Sequence, residues 1–240
     1  MSRQVIAVTG GGRGIGLAIT TRLLAAGYGV VANTHRTQAL PGELLDSYPD
    51  RIVTVSGDIG VERTSQDIVE AAQRLGRLHA VVHSAGVCRD RLLMTMDKAD
   101  WDEVIRVNLG GAFLITKHAL KVMTRQRYGR LVYVSSAAAL MGNAGQSSYA
   151  ASKAGIEGLS RSVSQEYARF GVRTVALSPG LVDGGLGAQL PPAVRNERRE
   201  RQLLGEAAVR HVAGTVAFLV GPDADHINGT VVHMHGGIRF

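Results

Sequence analysis

Short, nearly continuous apolar runs alternate with longer amphipathic stretches along the whole chain. The runs are VIAVT (5–9), GVVAN (29–33), IVTVS (52–56), HAVVH (79–83), RLVYVSS (130–136), VRTVALS (172–178) and TVVHM (230–234). Apolar runs of this length without polar alternation are expected of parallel strands covered on both faces. Residues 15–26, 61–75, 101–123, 149–170 and 209–220 lie between them and carry apolar positions at helical spacing. The repeated β–α order predicts an α/β fold, a doubly wound parallel sheet of about seven strands with helices on both faces. No internal repeat, linker or low-complexity tract interrupts it, so residues 1–240 read as a single domain.

Two stretches break the rhythm. After the second strand, THRTQALPGELLDSYPD carries Pro41, Gly42 and Pro49, which predicts a short crossover helix. Near the end, LVDGGLGAQLPPAVRNERRERQLLG interposes glycines, two prolines and a charged helix before the last helix and strand. An irregular excursion of this length in a compact domain reads as a substrate lid, here around residues 184–206.

Composition narrows the classes. A length of 240 residues is enough for a large core, and no apolar run approaches the ~18 residues of a membrane span. The start, MSRQVIAVTGGG, has only five strand-like residues before the glycines, so no signal peptide is expected. One cysteine, Cys88, rules out an internal disulfide and a cysteine-built zinc site, and a cytoplasmic, reduced protein is expected. The formal charge of +7 comes from 23 arginines and 4 lysines spread along the chain, which favours anionic partners. Aromatics make up only 5%, without the basic–aromatic interleaving that stacks bases, so nucleic acid is not an expected partner.

Candidate chemistry concentrates in two places. VTGGGRGIG (8–16) follows the first strand and opens the first helix, where glycines let the backbone approach a diphosphate and the helix N-terminus offers amide donors. SYAASK (148–153) puts Tyr149 and Lys153 four residues apart, on one helix face one turn apart. An ammonium beside a phenol favours the phenolate, lowering the tyrosine pKa from about 10 and making it a usable proton donor and acceptor. The pair alone also fits a partly buried tyrosine beside a solvated lysine. Other constellations lack the required spacing. His233 and His235 share a strand face without a third ligand, so no metal is expected. VYVSSAA around Ser136 lacks a hydrolase elbow, and Cys88 lacks an activating motif.

The spacing TG-x-x-x-G-x-G, with Thr9, Gly10, Gly14 and Gly16, resembles the short-chain dehydrogenase/reductase family, and the resemblance runs along nearly the entire chain. It implies a Rossmann-type NAD(P)-binding domain. It places cofactor contacts at Thr9, Gly10, Gly12, Arg13, Gly14, Ile15 and Gly16, and at Asp58 and Ile59 in SGDIG, with Asp58 at the adenine ring. Further contacts fall at Ser84, Ala85 and Gly86 in HSAG, and at Pro179, Gly180 and Val182 after the sixth strand. Asn108, Ser136, Tyr149 and Lys153 match the catalytic set, with Ser136 thirteen residues before Tyr149. In that role Ser136 holds a carbonyl or alkoxide, Tyr149 moves the proton, and Lys153 lowers the Tyr149 pKa and, with Tyr149, contacts the nicotinamide ribose. Asn108 anchors a relay water.

No acid lies between Gly29 and Pro41 to hold a ribose 2′-hydroxyl, whereas Arg13, His35 and Arg36 stand ready for a 2′-phosphate. NADPH is the expected cofactor. Within the family, LMGNAGQSSYAASKAGIEGLSRS and VAFLVGPDADHINGTVVHMHGG resemble 3-oxoacyl-acyl-carrier-protein reductases, with VANTHRT close to the actinobacterial branch. That resemblance implies a homotetramer acting on an acyl chain bound to acyl carrier protein or CoA, in fatty-acid or polyketide-type biosynthesis. It also implies a docking surface for an acidic carrier at Arg127, within the basic turn of Arg125, Arg127 and Arg130. The second docking position is Phe170 here, with Arg169 beside it. Three departures stand out: His83 and Ser84 replace two asparagines, and Gly184 replaces a threonine that grips the carboxamide. An NADP(H)-dependent ketone or secondary-alcohol oxidoreductase, and a non-enzymatic NADP(H)-binding regulator, are the alternative readings.

Overall fold

Residues 3–35 and 39–239 are described by the computed structural model. Seven strands form one sheet: β1 (Gln4–Thr9), β2 (Gly29–Thr34), β3 (Ile52–Ser56), β4 (Arg77–His83), β5 (Gly129–Val134), β6 (Val172–Pro179) and β7 (Thr230–Met234). Their order is β3-β2-β1-β4-β5-β6-β7 and every pairing is parallel. The order reverses direction between β1 and β4. Such a switch point opens a crevice at the carboxyl ends of the strands.

Residue alternation along the strands sorts the apolar side chains into two cores. Val5 and Ala7 of β1, with Leu131 and Tyr133 of β5, face one layer. It contains α3 (Glu62–Leu75), α5 (Gly111–Met123) and α7 (Ser147–Tyr167). Ile6 and Val8, with Val132 and Val134, face the other layer, built on α1 (Gly14–Ala25) and α9 (Val209–Val220). Strand β4 departs from strict alternation. Val5 pairs with Leu78 but Ile6 pairs with Ala80, so His79 is an extra residue in the strand. The bulge explains how Leu78 and Val81, three apart, reach the same core.

The broken stretches resolve as short elements. Among the described residues the crossover after β2 holds only α2 (Gly42–Ser47), and the late excursion holds α8 (Pro192–Glu200). Two boundaries that bear on the site differ from the sequence expectation. β5 stops at Val134, so Ser136 lies in the loop beyond the strand. The expected helix over 101–123 is divided into α4 (Lys98–Val104), a π-helical turn (Ile105–Gly110) and α5. Apolar periodicity does not reveal one inserted residue, because the phase slips by only part of a turn.

Candidate active site

A cleft of about 930 Å³ lies along the carboxyl edge of the sheet. Its first half is the loop between β1 and α1. Gly10 sits at φ +65°, and a Cβ there would come within 2.8 Å of the Ala85 backbone. Gly14, at φ +50°, packs directly against Gly185, where a Cβ would meet the Gly185 Cα at 2.6 Å. A side chain at either position would be strained and would collide. The glycines thus let three chain segments meet over the α1 N-terminus, the geometry that receives a diphosphate.

Arg13, Ile15, Gly16, His35, Asp58, Ile59, Ser84, Ala85, Gly86, Pro179, Gly180 and Val182 line the same cleft. Arg13 and His35 are exposed, and Arg36 lies outside the described residues. Thr9, Gly12, Gly14 and Asn108 are not in the lining; Thr9 and Asn108 are fully buried behind it. Asp58 is already engaged. It accepts the Gly60 N–H at 2.8 Å and pairs with Arg106 at 2.9 Å. Burial alone would raise its pKa, but the hydrogen bonds from Arg106 and Gly60 and the Arg106 charge outweigh that and lower it. Arg106 also lines the cleft and carried no motif that sequence reading could use.

The second half centres on the start of α7. Ser136, Tyr149 and Lys153 come together there, and all three line the cleft. The Ser136 side chain lies beside the Tyr149 phenol, whose pKa it pulls down, and accepts the Ala138 N–H at 3.2 Å. Lys153 is buried, donates from Nζ to the Val134 carbonyl at 2.8 Å, and lies 5.6 Å from the centre of the Tyr149 ring. One electrostatic expectation is reversed. Tyr149 does not have a lowered pKa: burial raises it, Cys88 and Asp90 add to the rise, and Ser136 and Arg198 only partly oppose it. Burial simultaneously lowers the Lys153 pKa to about 8. Desolvation therefore outweighs the attraction that i, i+4 spacing suggested.

Asn108 sits in the π-turn and its side chain is occupied. Its Oδ1 accepts the Val87 N–H at 2.8 Å, and its Nδ2 donates to the Val87 carbonyl and to Ser152 Oγ, each at 3.0 Å. Ser152 Oγ donates in turn to the Tyr149 carbonyl at 2.7 Å. Sequence reasoning missed Ser152, which stands inside the YAASK motif without a role assigned to it. It also missed a polar wall facing Tyr149. Gln146 donates to both Asp90 oxygens, at 3.2 and 3.0 Å, and to the Cys88 sulfur at 3.3 Å, while Cys88 donates to Asp90 at 2.7 Å. Burial and Asp90 push the Cys88 thiol up to about 12, which makes it unreactive as a nucleophile.

The family model for short chain dehydrogenase matches residues 4–194, most of the chain. The chain belongs to the short-chain dehydrogenase/reductase family. It is an oxidoreductase of a family that binds a nicotinamide cofactor. It is 36% identical to the 3-oxoacyl-acyl-carrier-protein reductase MabA of Mycobacterium avium, over 99% of this chain and 90% of that one. It is 34% identical to the reductase of the same description, FabG, of Aquifex aeolicus, over 98% and 97%. To FabG of Thermotoga maritima it is 32% identical, over 98% and 97%.

Two departures from the family pattern have structural accounts. Val209 Cγ1 lies 2.6 Å from where a Cβ on Gly184 would sit, so a threonine there would collide unless the Val209 side chain, at the start of α9, shifted. His83, fully buried, is bonded on both ring nitrogens, to Thr9 and to the backbone of Asn108. The expected basic turn is corrected at one position. Arg130 is not part of a docking surface: it is buried on β5, paired with Asp225 and bonded to the Tyr128 hydroxyl at 2.9 Å. Arg127 and Arg169 do meet, through an Arg127 guanidinium bond to the Arg169 carbonyl at 3.0 Å. Among the described residues no helix is long and apolar enough to cross a membrane, and no cluster of three metal-ligating side chains is found.

Proposed function

We propose that this protein is an NADPH-dependent reductase of 3-oxoacyl thioesters, bound to acyl carrier protein or CoA, in fatty-acid or polyketide-type biosynthesis. The observation that carries this reading is the joining of Ser136, Tyr149 and Lys153 with the glycine loop in one cleft. The near full-length likeness to 3-oxoacyl-acyl-carrier-protein reductases supports the substrate class.

The loop fits a dinucleotide, because Gly10 and Gly14, packed bare against the Ala85 and Gly185 backbones, hold it in a tight turn leading into the α1 N-terminus. Asn33, Thr34 and His35 bring no acid to the end of β2, and exposed Arg13 supplies a cation at the loop. A 2′-phosphate suits that balance better than a free hydroxyl. When bound, the cofactor supplies a hydride to the ketone carbon. The protein supplies the rest. Ser136 hydrogen-bonds the ketone oxygen, and Tyr149, whose raised pKa keeps it protonated, donates to that oxygen as charge develops. The Ser136 hydroxyl and the Lys153 ammonium then stabilise the phenolate left behind.

In this account residues 184–206 form the lid of one domain, the protein is cytoplasmic, and it assembles as a homotetramer. Arg127 and Arg169 precede β5 and β6, at the amino edge of the sheet. The cleft opens at the other edge, about 20 Å away for a strand of this length. An acidic carrier held there presents its acyl group across that span or to a neighbouring copy in the tetramer.

The test is cofactor oxidation with a short 3-oxoacyl thioester against simple ketones, with NADPH and NADH compared. Preference for the thioester and NADPH is expected, together with a larger loss for NADPH than NADH in Arg13→Asp. Equal rates on simple ketones would replace the substrate assignment, and equal cofactor losses would replace the 2′-phosphate assignment.

A further inference from the structure

The fully buried histidine at the end of β4 is a polar group for which the reaction as described has no use. Its Nδ1 lies 3.0 Å from Thr9 Oγ1, and its Nε2 lies 3.0 Å from the carbonyl oxygen of Asn108. Donor arithmetic settles the direction of this chain. A backbone carbonyl only accepts, so Nε2 must carry the proton. In the neutral ring Nδ1 is then the acceptor, and it takes the Thr9 hydroxyl proton. Thr9 Oγ1 itself accepts the Ala85 N–H at 3.2 Å. Burial first, and the Lys153 charge second, lower the His83 pKa to about 3 and keep the ring neutral.

The chain runs from the residue that opens the dinucleotide loop to the π-turn that carries Asn108. From Asn108 it continues through Ser152 to the Tyr149 carbonyl. Leu109 of the same turn packs where a Cβ on Gly155 of α7 would sit, at 2.8 Å, so a shift of the turn would be felt by the helix bearing Tyr149 and Lys153. We propose that His83 is a positioning residue for the reduction, its Nε2–H tautomer tying the dinucleotide loop to the backbone of the π-turn that supports the catalytic helix. This rests on the reductase reading above. The two ring nitrogens act on different segments. Nδ1 steadies the loop, and Nε2–H steadies the turn.

Substitution can separate these two roles. In His83→Asn, Oδ1 falls where Nδ1 was and still accepts from Thr9, but the side chain is too short to reach Asn108. In His83→Gln, Nε2 reaches the Asn108 carbonyl, but nothing is left to accept from Thr9. His83→Asn is expected to keep the NADPH dissociation constant and lose about tenfold in kcat, with a larger solvent deuterium isotope effect because proton delivery slows. His83→Gln is expected to keep most of kcat and weaken NADPH several-fold. Equal losses of both parameters in the two variants, tracking a common fall in Tm, would leave His83 a merely structural residue and overturn the proposal. Nitrogen-15 NMR of the unsubstituted protein gives a reading that needs neither variants nor turnover. A single Nε2–H tautomer is expected, and an Nδ1–H ring or an imidazolium at neutral pH would overturn the proposal. If 3-oxoacyl thioesters are not reduced at all, the reductase reading fails, while NADPH titration and the NMR spectrum still decide the role of His83 in the loop.

Discussion

Strand β4 carries a buried histidine at each end, and the two ends show what the edges of the sheet are for. At the amino edge His79 occupies the bulge, bonds the Val220 carbonyl at 2.8 Å, and packs between Tyr28 and Tyr128. Arg130 and Asp225 pair beside it, with Tyr128 as a further partner of the guanidinium. Every partner there belongs to the fold, and the network tethers the end of α9 to the sheet. At the carboxyl edge His83 is buried more deeply still, but its partners lead to the glycine loop and to the turn behind Tyr149. Burial lowers the pKa of both histidines, and of Lys153. The same desolvation thus maintains a structural network at one edge and sets proton affinities at the other.

The largest effect is expected of Tyr149→Phe, which removes the proposed proton donor at the carboxyl edge. Turnover should fall by at least about a hundredfold, with NADPH affinity and Tm retained; near-normal turnover would mean that protons come from another group. Asp225→Ala makes the complementary cut at the amino edge. It strands buried Arg130 without its carboxylate and should cost about 2 kcal/mol, less than a fully enclosed pair because Asp225 is itself half exposed. Denaturant unfolding should show that loss while kcat per folded molecule stays unchanged; a parallel fall in kcat would erase the division between the edges.

A smaller effect concerns pH. Lys153 titrates near 8 in the fold and near 10.4 when unfolded. In the proposed mechanism its ammonium, present below about pH 8, supports the phenolate, so kcat for reduction should decline as pH rises through that value. Stability moves the opposite way: between about 8 and 10.4 the unfolded chain binds more protons, so this group makes the fold more stable as pH rises. Lys153→Met should abolish both trends, and a wild-type profile flat to pH 10 would contradict the assignment. The smallest effect is expected at Arg127→Glu, a few-fold loss in kcat/KM on carrier-bound substrate that fades with salt, with the truncated thioester almost unaffected. Equal losses on both substrates would make Arg127 a residue of the fold, where it already bonds the Arg169 carbonyl.

Much of this architecture is legible in the chain. Apolar runs without alternation mark all seven strands, and the proline and glycine cluster around Pro41 marks the short α2. The glycine spacing and SYAASK bring two halves of one cleft into view. What pattern reading cannot supply is how buried polar groups are satisfied. Arg130 reads as one more cation in a basic turn, and only the position of Asp225, ninety-five residues later, explains its burial. His83 reads as a replaced asparagine until Thr9 and Asn108 are seen on either side of the ring. Spacing misjudges the Tyr149 pKa because it reports the nearby charge but not the desolvation that outweighs it. The π-turn at Asn108 escapes notice because one inserted residue leaves the apolar stripe nearly continuous.

The proposed reaction delivers a hydride and a proton across the ketone of a 3-oxoacyl thioester in this cleft. The most direct measurement is product analysis after reaction with NADPH deuterated at the transferable position of the nicotinamide. The account predicts a 3-hydroxyacyl thioester carrying one deuterium at C3, formed by the unsubstituted protein and nearly lost in Tyr149→Phe. Unlabelled product, or a thioester left unreduced while a simple ketone acquires the label, would contradict it.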